Sequence, residues 1–212
     1  MDIEENTSSR RHWQKIYSSK AENALSWFQE YPTASMKFVD SFNLNANSRI
    51  IDVGSGDGRF IEALADRGYR DITALDISEA AIERAKKRLG DKSATIRWIA
   101  SDILRFEPLT TYDLWHDRAT FHFFITEVEI NRYISIAENA IKPNGYLLIS
   151  TFSEKGPKKC SGLEITQYAE LSLVKKLQHG FEKLECINED HVTPGGTIQN
   201  FLFCSFKKKR TI

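Results

Sequence analysis

The chain reads Ile50-Ile51-Asp52-Val53-Gly54-Ser55-Gly56-Asp57-Gly58-Arg59-Phe60 where an apolar, strand-like run breaks into a glycine loop. A glycine turn between a strand and a helix lets backbone N–H groups approach a ligand, and the N-terminus of the helix favours an anion. Asp52 ends the run and Asp57 lies inside the turn, so a pyrophosphate would meet two like charges. The stretch therefore predicts a ligand that carries an ammonium or another cationic group.

Strand-like apolar runs alternate with segments of helical periodicity around this loop. Such alternation predicts an α/β fold, a doubly wound Rossmann-like sheet with parallel strands. The predicted strands cover residues 48–53, 71–76, 95–100, 112–116 and 146–152, and the predicted helices cover residues 59–67, 79–89 and 126–141. Ser78 and Thr126 each precede a predicted helix and are expected to be N-caps.

The two ends of the chain differ from this alternating centre. A predicted helix over residues 169–178 is followed by two strand-like runs, 181–190 and 197–206, which flank a Pro-Gly-Gly turn. They predict a C-terminal antiparallel hairpin that completes a mixed seven-stranded sheet.

The N-terminal residues 1–45 form a predicted helical and aromatic arm, distinct from the main domain over residues 46–212. Trp13, Tyr17 and Trp27 stand out in this otherwise polar stretch. Two interpretations remain open. The aromatic side chains either anchor an amphipathic arm to the body or form a lid over a bound cofactor.

The charge balance excludes several classes of partner. Lysine and arginine number 29, aspartate and glutamate also number 29, and the formal net charge is +0 at pH 7. No field recruits nucleic acid or an anionic membrane, and no apolar run reaches the ~18–20 residues of a membrane span. The acidic, polar start over Met1–Asn6 carries no secretory signal. We therefore expect neither a nucleic-acid nor a membrane partner.

Cysteine and histidine spacing bears on redox compartment and metal binding. Cys160, Cys186 and Cys204 form neither a metal-type pair nor an even set, which predicts free thiols in a reducing, cytoplasmic compartment. The histidines lack the spacing of a ligand pair on a shared element, so no metal site is expected. Nothing in the sequence indicates an oligomeric state.

Polar residues stand at four successive predicted strand ends, where an α/β sheet binds its ligands. After the glycine loop come Asp76, placed to accept hydrogen bonds from a ribose diol, and Ser101-Asp102-Ile103, placed to recognise an adenine edge. Trp115-His116-Asp117-Arg118 follows the fourth strand. Singly, Asp76 could be a helix cap and Asp102 a turn residue. Together with the acidic loop, the set favours S-adenosylmethionine over NAD.

The loop from Asp52 to Gly58, with Leu75-Asp76-Ile77-Ser78 and Ser101-Asp102-Ile103, resembles the cofactor motifs of class I S-adenosylmethionine-dependent methyltransferases. The resemblance covers nearly the whole chain and implies a role for each matching residue. Asp52 would serve the cofactor's amino group, Asp76 the ribose hydroxyls, and Ile77 the adenine ring. The implied cofactor-binding residues are Asp52, Gly54, Ser55, Gly56, Gly58, Asp76, Ile77, Asp102, Ile103 and His116, the last through its backbone.

A narrower resemblance lies in the arm and after the fourth strand. His12 to Gln29 is similar to the cofactor-covering segment of thiopurine S-methyltransferase-like enzymes. Trp115–Ala119 resembles that branch's Trp-Asp-Arg-Gly-Ala segment, with His116 as an extra residue and Ala119 in place of glycine. The match implies that Arg118 is the active-site arginine and that Trp13 packs near the sulfonium.

These features predict an enzyme that transfers a methyl group from S-adenosylmethionine to a small-molecule acceptor, a thiol or similar soft nucleophile, leaving S-adenosylhomocysteine. The alternatives are a protein-lysine N-methyltransferase, with a protein as partner, and a non-catalytic cofactor-binding protein. Asp117 and Arg118 are the candidate catalytic residues: Arg118 would favour a thiolate, whereas Asp117 would serve an amine. The two side chains could equally form a structural ion pair. Cys160, in a long loop over residues 153–168, is a candidate substrate contact, although an inert surface thiol is the simpler interpretation.

Overall fold

The computed structural model describes residues 3–210, with side chains described from Ser8 to Arg210. The strands are β1 (Arg49–Val53), β2 (Asp71–Asp76), β3 (Ile96–Ala100), β4 (Tyr112–Arg118), β5 (Ile141–Phe152), β6 (Lys159–Cys160), β7 (Leu163–Glu164), β8 (Phe181–Val192) and β9 (Ile198–Lys208). The helices are α1 (Ile3–Ser19), α2 (Thr33–Ser41), α3 (Arg59–Asp66), α4 (Glu79–Leu89), α5 (Glu127–Ala140) and α6 (Glu170–Leu177).

Seven of these strands form one mixed sheet in the order β3-β2-β1-β4-β5-β9-β8. The first five run parallel, whereas β9 is antiparallel to both β5 and β8. The predicted Rossmann-like fold and its closing antiparallel hairpin are therefore confirmed. The two-residue strands β6 and β7 form a separate small hairpin.

Local signals set the starts of two helices as expected. Ser78 Oγ accepts a hydrogen bond from the backbone N–H of Ala81 at the start of α4. Thr126 and Glu129 form a capping box at the start of α5. The helix predicted over residues 126–141 ends at Ala140, and Asn144 takes a left-handed φ of 63° where the pairing of β5 with β4 is irregular.

Side-chain alternation assigns each sheet residue to one of two cores. Ile51 and Trp115 belong to the core that packs against α5 and α6. Ile50 and Leu114 belong to the opposite core, which packs against α2 and α3. Because neighbouring strand residues point to opposite faces, adjacent residues at a strand end face different surroundings. This matters most after β4, where the candidate catalytic residues lie.

The described part of the predicted arm, residues 3–45, divides in two. Helix α1 packs on α4 through a small cluster of Ile16, Tyr17, Leu25 and Ala81. Helix α2 instead contributes Ala34, Met36, Phe38 and Val39 to a core of the sheet. The boundary at residue 45 stays a prediction. Met1 and Asp2, part of the predicted acidic start, and residues 211–212 of the predicted main domain lie outside the described residues.

Cys186 and Cys204 are directly opposed on β8 and β9 and form a disulfide, leaving Cys160 as the free cysteine among the described residues. The prediction of three unpaired thiols is therefore wrong. The hairpin register, which spacing does not reveal, brings the two sulfurs together. The predicted reducing, cytoplasmic compartment stays a prediction. Within residues 3–210 no helix combines the length and apolar character of a membrane span.

Candidate active site

A cavity of about 1140 Å³ lies where the parallel strands end, between the sheet and the arm. This is the edge at which α/β sheets bind ligands. The structure brings all but one of the predicted site residues to its wall. Those lining it are Trp13, Asp52, Gly54, Ser55, Gly56, Gly58, Asp76, Ile77, Asp102, Ile103, His116 and Arg118. Asp117 is the exception.

The glycine loop presents its backbone to the cavity at close range. Gly54 and Gly56 have φ of 67° and 52°, a left-handed conformation that side chains disfavour. A Cβ on Gly54 would collide with Thr120 Oγ1, and one on Gly56 would lie 2.7 Å from Tyr17 Oη. The nearby Ser55 Oγ is buried without a hydrogen-bond partner in the described structure. A cradle that only glycine fits, beside an unpartnered hydroxyl, suits a closely held polar ligand.

Asp76 lies buried at the end of β2 and is hydrogen-bonded to the glycine loop. One carboxylate oxygen accepts the N–H of Gly56 and the other accepts the N–H of Ser78, both at 2.8 Å. Burial raises the pKa of Asp76 to about 6, although these two N–H donors oppose the shift. The carboxylate therefore supports the start of α4 and also lines the cavity, so the two interpretations of Asp76 are compatible.

Asp52 belongs to a buried chain of hydrogen bonds that the sequence did not reveal. Its Oδ1 lies 2.6 Å from His116 Nδ1, and His116 Nε2 lies 2.9 Å from Ser35 Oγ on α2. The His116 ring also stacks on Phe60, with ring centroids 3.7 Å apart. A neutral imidazole with its proton on Nδ1 satisfies every bond, donating to Asp52 and accepting from Ser35. These hydrogen bonds hold the Asp52 carboxylate in place at the cavity wall.

Asp102 and Ile103 form the wall beyond β3. Asp102 Oδ1 accepts the N–H of Leu104 at 2.9 Å, so Asp102 caps a short 3₁₀ turn, as the turn interpretation predicts. Ile103 is buried, and Ile77 lines the cavity beside Asp76. These apolar side chains offer a surface suited to a flat heterocycle.

The Asp117 side chain does not line the cavity, where a group that acts on the acceptor was expected. Its carboxylate accepts the Tyr133 hydroxyl at 2.6 Å and the N–H of Thr120 at 2.8 Å, within the α5 core rather than the cavity. Burial raises its pKa to about 6. The alternative, an ion pair with Arg118, is not formed among the described residues, because alternation along β4 sends the two side chains to opposite faces. Asp117 instead supports the turn at Ala119, whose φ is 71°.

Arg118 reaches the cavity from the end of β4. Its Nη1 donates to the backbone oxygen of Trp27 at 3.1 Å, and its guanidinium lies 4.8 Å from the centroid of the Phe201 ring. Nε and Nη2 have no hydrogen-bond partner in the described part of the chain. Desolvation lowers the pKa of Arg118 to about 10. The group therefore remains cationic at neutral pH in surroundings that do not neutralise it.

Cys160 lies beside this arginine. The thiol is buried at the cavity wall, so the expectation that it lies on the surface is wrong. Burial raises its pKa to about 11, although the Arg118 charge opposes the shift. The side chain is therefore a neutral thiol at pH 7 and contributes a compact apolar surface.

The aromatic arm is anchored to the body and lines the cavity. Trp13 packs edge-on against Trp27 and Phe123, with ring centroids 5.9 and 5.0 Å apart, and all three line the cavity. On α1, Gln14 Oε1 accepts the N–H of Ala80 at 3.1 Å at the start of α4. A role of the arm as a lid over the cofactor stays a prediction. Gln14 carries no sequence signal that distinguishes it from a surface residue.

Metal ligands would have to come as a group of histidine, cysteine or acidic side chains. Among the described residues no three of these side chains lie together in that way.

The sheet order, the glycine cradle and the polar strand ends define a class I S-adenosylmethionine-dependent methyltransferase, and S-adenosylmethionine is the cofactor of that class. A family model described as a methyltransferase domain matches residues 44–200, and the chain belongs to this family.

Relatives and solved structures agree with this assignment. The eEF1A lysine and N-terminal methyltransferase of Mus musculus is 25% identical over 164 residues, which are 73% of this chain and 23% of that protein. A malonyl-[acyl-carrier protein] O-methyltransferase of Anoxybacillus flavithermus is 37% identical over 109 residues, 50% of this chain and 39% of that protein. The chain thus spans well under half the length of these two relatives.

The N-methyltransferase NodS from Bradyrhizobium japonicum, solved in complex with S-adenosylhomocysteine, has the same fold. It superposes with a TM-score of 0.71 at 19% identity, covering 94% of this chain and 100% of NodS.

Proposed function

We propose that this chain transfers a methyl group from S-adenosylmethionine to a small thiol or similar soft nucleophile, as in the thiopurine S-methyltransferase-like branch. The observation that carries the proposal is the contrast between Arg118 and Asp117. Arg118 brings an unpaired cation to the cavity, which favours a thiolate. Asp117, the predicted base for an amine, is bound to Tyr133 and the Thr120 backbone instead.

The cofactor end of the cavity supports this assignment residue by residue. When bound, S-adenosylmethionine supplies an electrophilic methyl group on a sulfonium. Asp52, held by His116, would accept from the amino group, and the ionised Asp76 would accept from ribose hydroxyls. Asp102 and Ile103 would contact the adenine edge, and Ile77 would pack on its face. The glycine loop lets the backbone approach the methionine portion.

The chain contributes alignment and exclusion of water rather than acid–base chemistry. Trp13, Trp27 and Phe123 form an aromatic wall of the cavity. Nε and Nη2 of Arg118 are buried, so its charge acts on the acceptor with less screening than in bulk water. Transfer to a thiolate needs no proton removal at the moment of reaction, so a fixed cation and aligned reactants are the required parts.

Binding and turnover test this proposal separately. We expect calorimetry to detect S-adenosylhomocysteine binding and expect S-adenosylhomocysteine to form when a panel of small thiols is supplied with S-adenosylmethionine. The Arg118→Met variant should lose turnover while retaining cofactor affinity. The Arg70→Met variant, changed at an exposed site away from the cavity, is the matched control. Absence of cofactor binding at near-millimolar ligand would refute the proposal.

A protein-lysine N-methyltransferase is the second candidate, because a relative at 25% identity is named for eEF1A lysine methylation. Incubation of a cell extract with the enzyme and methyl-labelled cofactor distinguishes the two. Label in small thioethers supports the thiol proposal, whereas label fixed only in protein lysine supports this alternative. Cofactor binding without S-adenosylhomocysteine formation on either acceptor class would indicate a non-catalytic binding protein.

Other expectations stay predictions. They are the cytoplasmic location, the absence of a nucleic-acid partner, and the functional separation of residues 1–45 from residues 46–212.

A further inference from the structure

One nitrogen of the Arg118 guanidinium has a hydrogen-bond partner, whereas the two nitrogens along one side of the group have none. Nη1 donates to the Trp27 backbone oxygen, whereas Nε and Nη2 have no partner among the described residues. Nε–H and the adjacent Nη2–H run parallel along one side of the planar group. This is the edge that binds the two oxygens of a carboxylate in a bidentate fashion.

The fold itself does not use this edge. The carboxylates of Glu189 and Asp52 act on Arg118 only through longer-range electrostatics, and none forms a described ion pair with it. The Phe201 ring compensates the charge in part through a cation–π contact at 4.8 Å. Arg118 is half-buried, but its Nε and Nη2 atoms are buried without partners, a cost that a hydrophobic residue of similar volume would avoid. Its presence at a cavity wall points to a ligand that completes it.

The surroundings of Arg118 restrict what that ligand is. The side chain lies beside the buried Cys160 thiol and the aromatic rings of Phe152 and Phe201, which line the same cavity. Apolar walls with one bidentate cation suit a small hydrophobic acid. Arg118 follows β4, the strand paired with β1, so this end adjoins the glycine loop.

Building on the function proposed above, we propose that the methyl acceptor carries a carboxylate that binds the Nε–Nη2 edge of Arg118. The acceptor is then a small aromatic or aliphatic mercapto-acid. Because Nε and Nη2 are buried in the structure, this binding requires the guanidinium to turn toward the cavity, against the restraint of the Trp27 hydrogen bond and the Phe201 ring contact.

Two probes that differ only in charge test this binding mode. Calorimetry in the presence of S-adenosylhomocysteine compares 2-mercaptobenzoate with its neutral carboxamide, 2-mercaptobenzamide. We expect the native protein to bind the carboxylate ~10-fold or more tightly, and Arg118→Met to reduce the preference to about twofold or less. Arg118→Lys should keep an intermediate preference, because a lysine retains the charge without the planar edge. Arg70→Met should match the native protein.

Equal affinity of the native protein for the two probes would overturn the inference. So would an unchanged preference in Arg118→Met, provided that circular dichroism shows a folded variant. If that variant does not fold, Arg118→Lys decides, since a preference identical to the native value would exclude recognition by the bidentate edge.

Turnover separates this inference from the proposed function. If both probes are methylated on sulfur without a preference, thiol methylation stands and the carboxylate inference fails. If the carboxylate binds in an Arg118-dependent manner but no thioether forms from any thiol, the carboxylate site stands and thiol methylation fails.

Discussion

The Asp76 carboxylate holds two elements of the fold together and leaves acceptor capacity for the proposed cofactor contact. Its two oxygens hold the N–H groups of Gly56 and Ser78, which join the glycine loop to the start of α4. Each carboxylate oxygen has a second lone pair, so these bonds leave acceptor capacity for a ribose. The charge is held in a buried site at an energetic cost, which the raised pKa of Asp76 records.

We predict that affinity for S-adenosylhomocysteine falls as the pH is lowered through about 6. The pKa of Asp76 is raised to about 6, so its protonated form accumulates below that pH and loses acceptor strength. Calorimetry at about pH 5 and about pH 7.5 measures the effect. Asp76→Asn should weaken binding by about 1–3 kcal/mol at the higher pH and flatten the pH profile. An equally steep profile in Asp76→Asn would assign the titration to another group, such as Asp57.

At the scale of elements, the arm is held to the body by charge as well as by aromatic packing. Arg84 on α4 donates to the backbone oxygens of Tyr17 and Lys20 at the end of α1, and it bonds Asp57 of the glycine loop at 3.2 Å. Glu22, just after α1, pairs with both Arg59 and Arg88. The arm is thus fastened to helices α3 and α4, and through Arg84 also to Asp57 of the glycine loop.

We predict that Arg84→Met loosens the arm. Loss of the bonds to the Tyr17 and Lys20 carbonyls should raise the rate of tryptic cleavage after Lys20 by roughly fivefold or more, since about 1 kcal/mol of local stability is removed. Mass spectrometry of timed digests measures the rate, and Arg70→Met serves as control. S-adenosylhomocysteine should slow cleavage if the arm covers the cofactor. An unchanged rate in Arg84→Met would show that aromatic packing alone holds the arm.

The whole molecule is a sheet completed by a hairpin in which β9 separates the parallel strands from the edge strand β8. The Cys186–Cys204 disulfide joins these last two strands across a sequence separation of 18. Cys204 is fully buried in the core against α5 and α6, so the bond ties the edge strand to the centre of the molecule.

We predict that the non-reduced protein, once unfolded, has one titratable thiol, contributed by Cys160, and that reduction exposes three. Reduction should also lower the free energy of unfolding by about 3 kcal/mol, the usual effect for a closed loop of this length. Thiol titration and urea unfolding with and without reductant measure both quantities. Cys160→Ser should show none before reduction. Three thiols without reductant would contradict the disulfide.

Much of the architecture follows from local pattern. Strand β2 and helix α4 have the predicted bounds, Asp71–Asp76 and Glu79–Leu89, because period-two and period-3.6 apolar patterns differ clearly there. The capping residues Ser78 and Thr126 were predictable because the cap bonds connect residues only three apart. Strand β4 was predicted two residues short, since polar Asp117 and Arg118 extend a strand whose end is set by pairing with β5.

The sequence by itself determined the layering, the glycine loop and the acids that select the methyl donor, because these depend on residues close together in the chain. Only the tertiary structure decided which side chains from distant parts of the chain come into contact. Ser35 joins Asp52 through His116, Cys186 meets Cys204, and Arg118 faces the cavity while Asp117 turns into a core. The reason is physical: register and sheet face are set by packing between elements distant in sequence, and a shift of one residue reverses which side chain reaches the site.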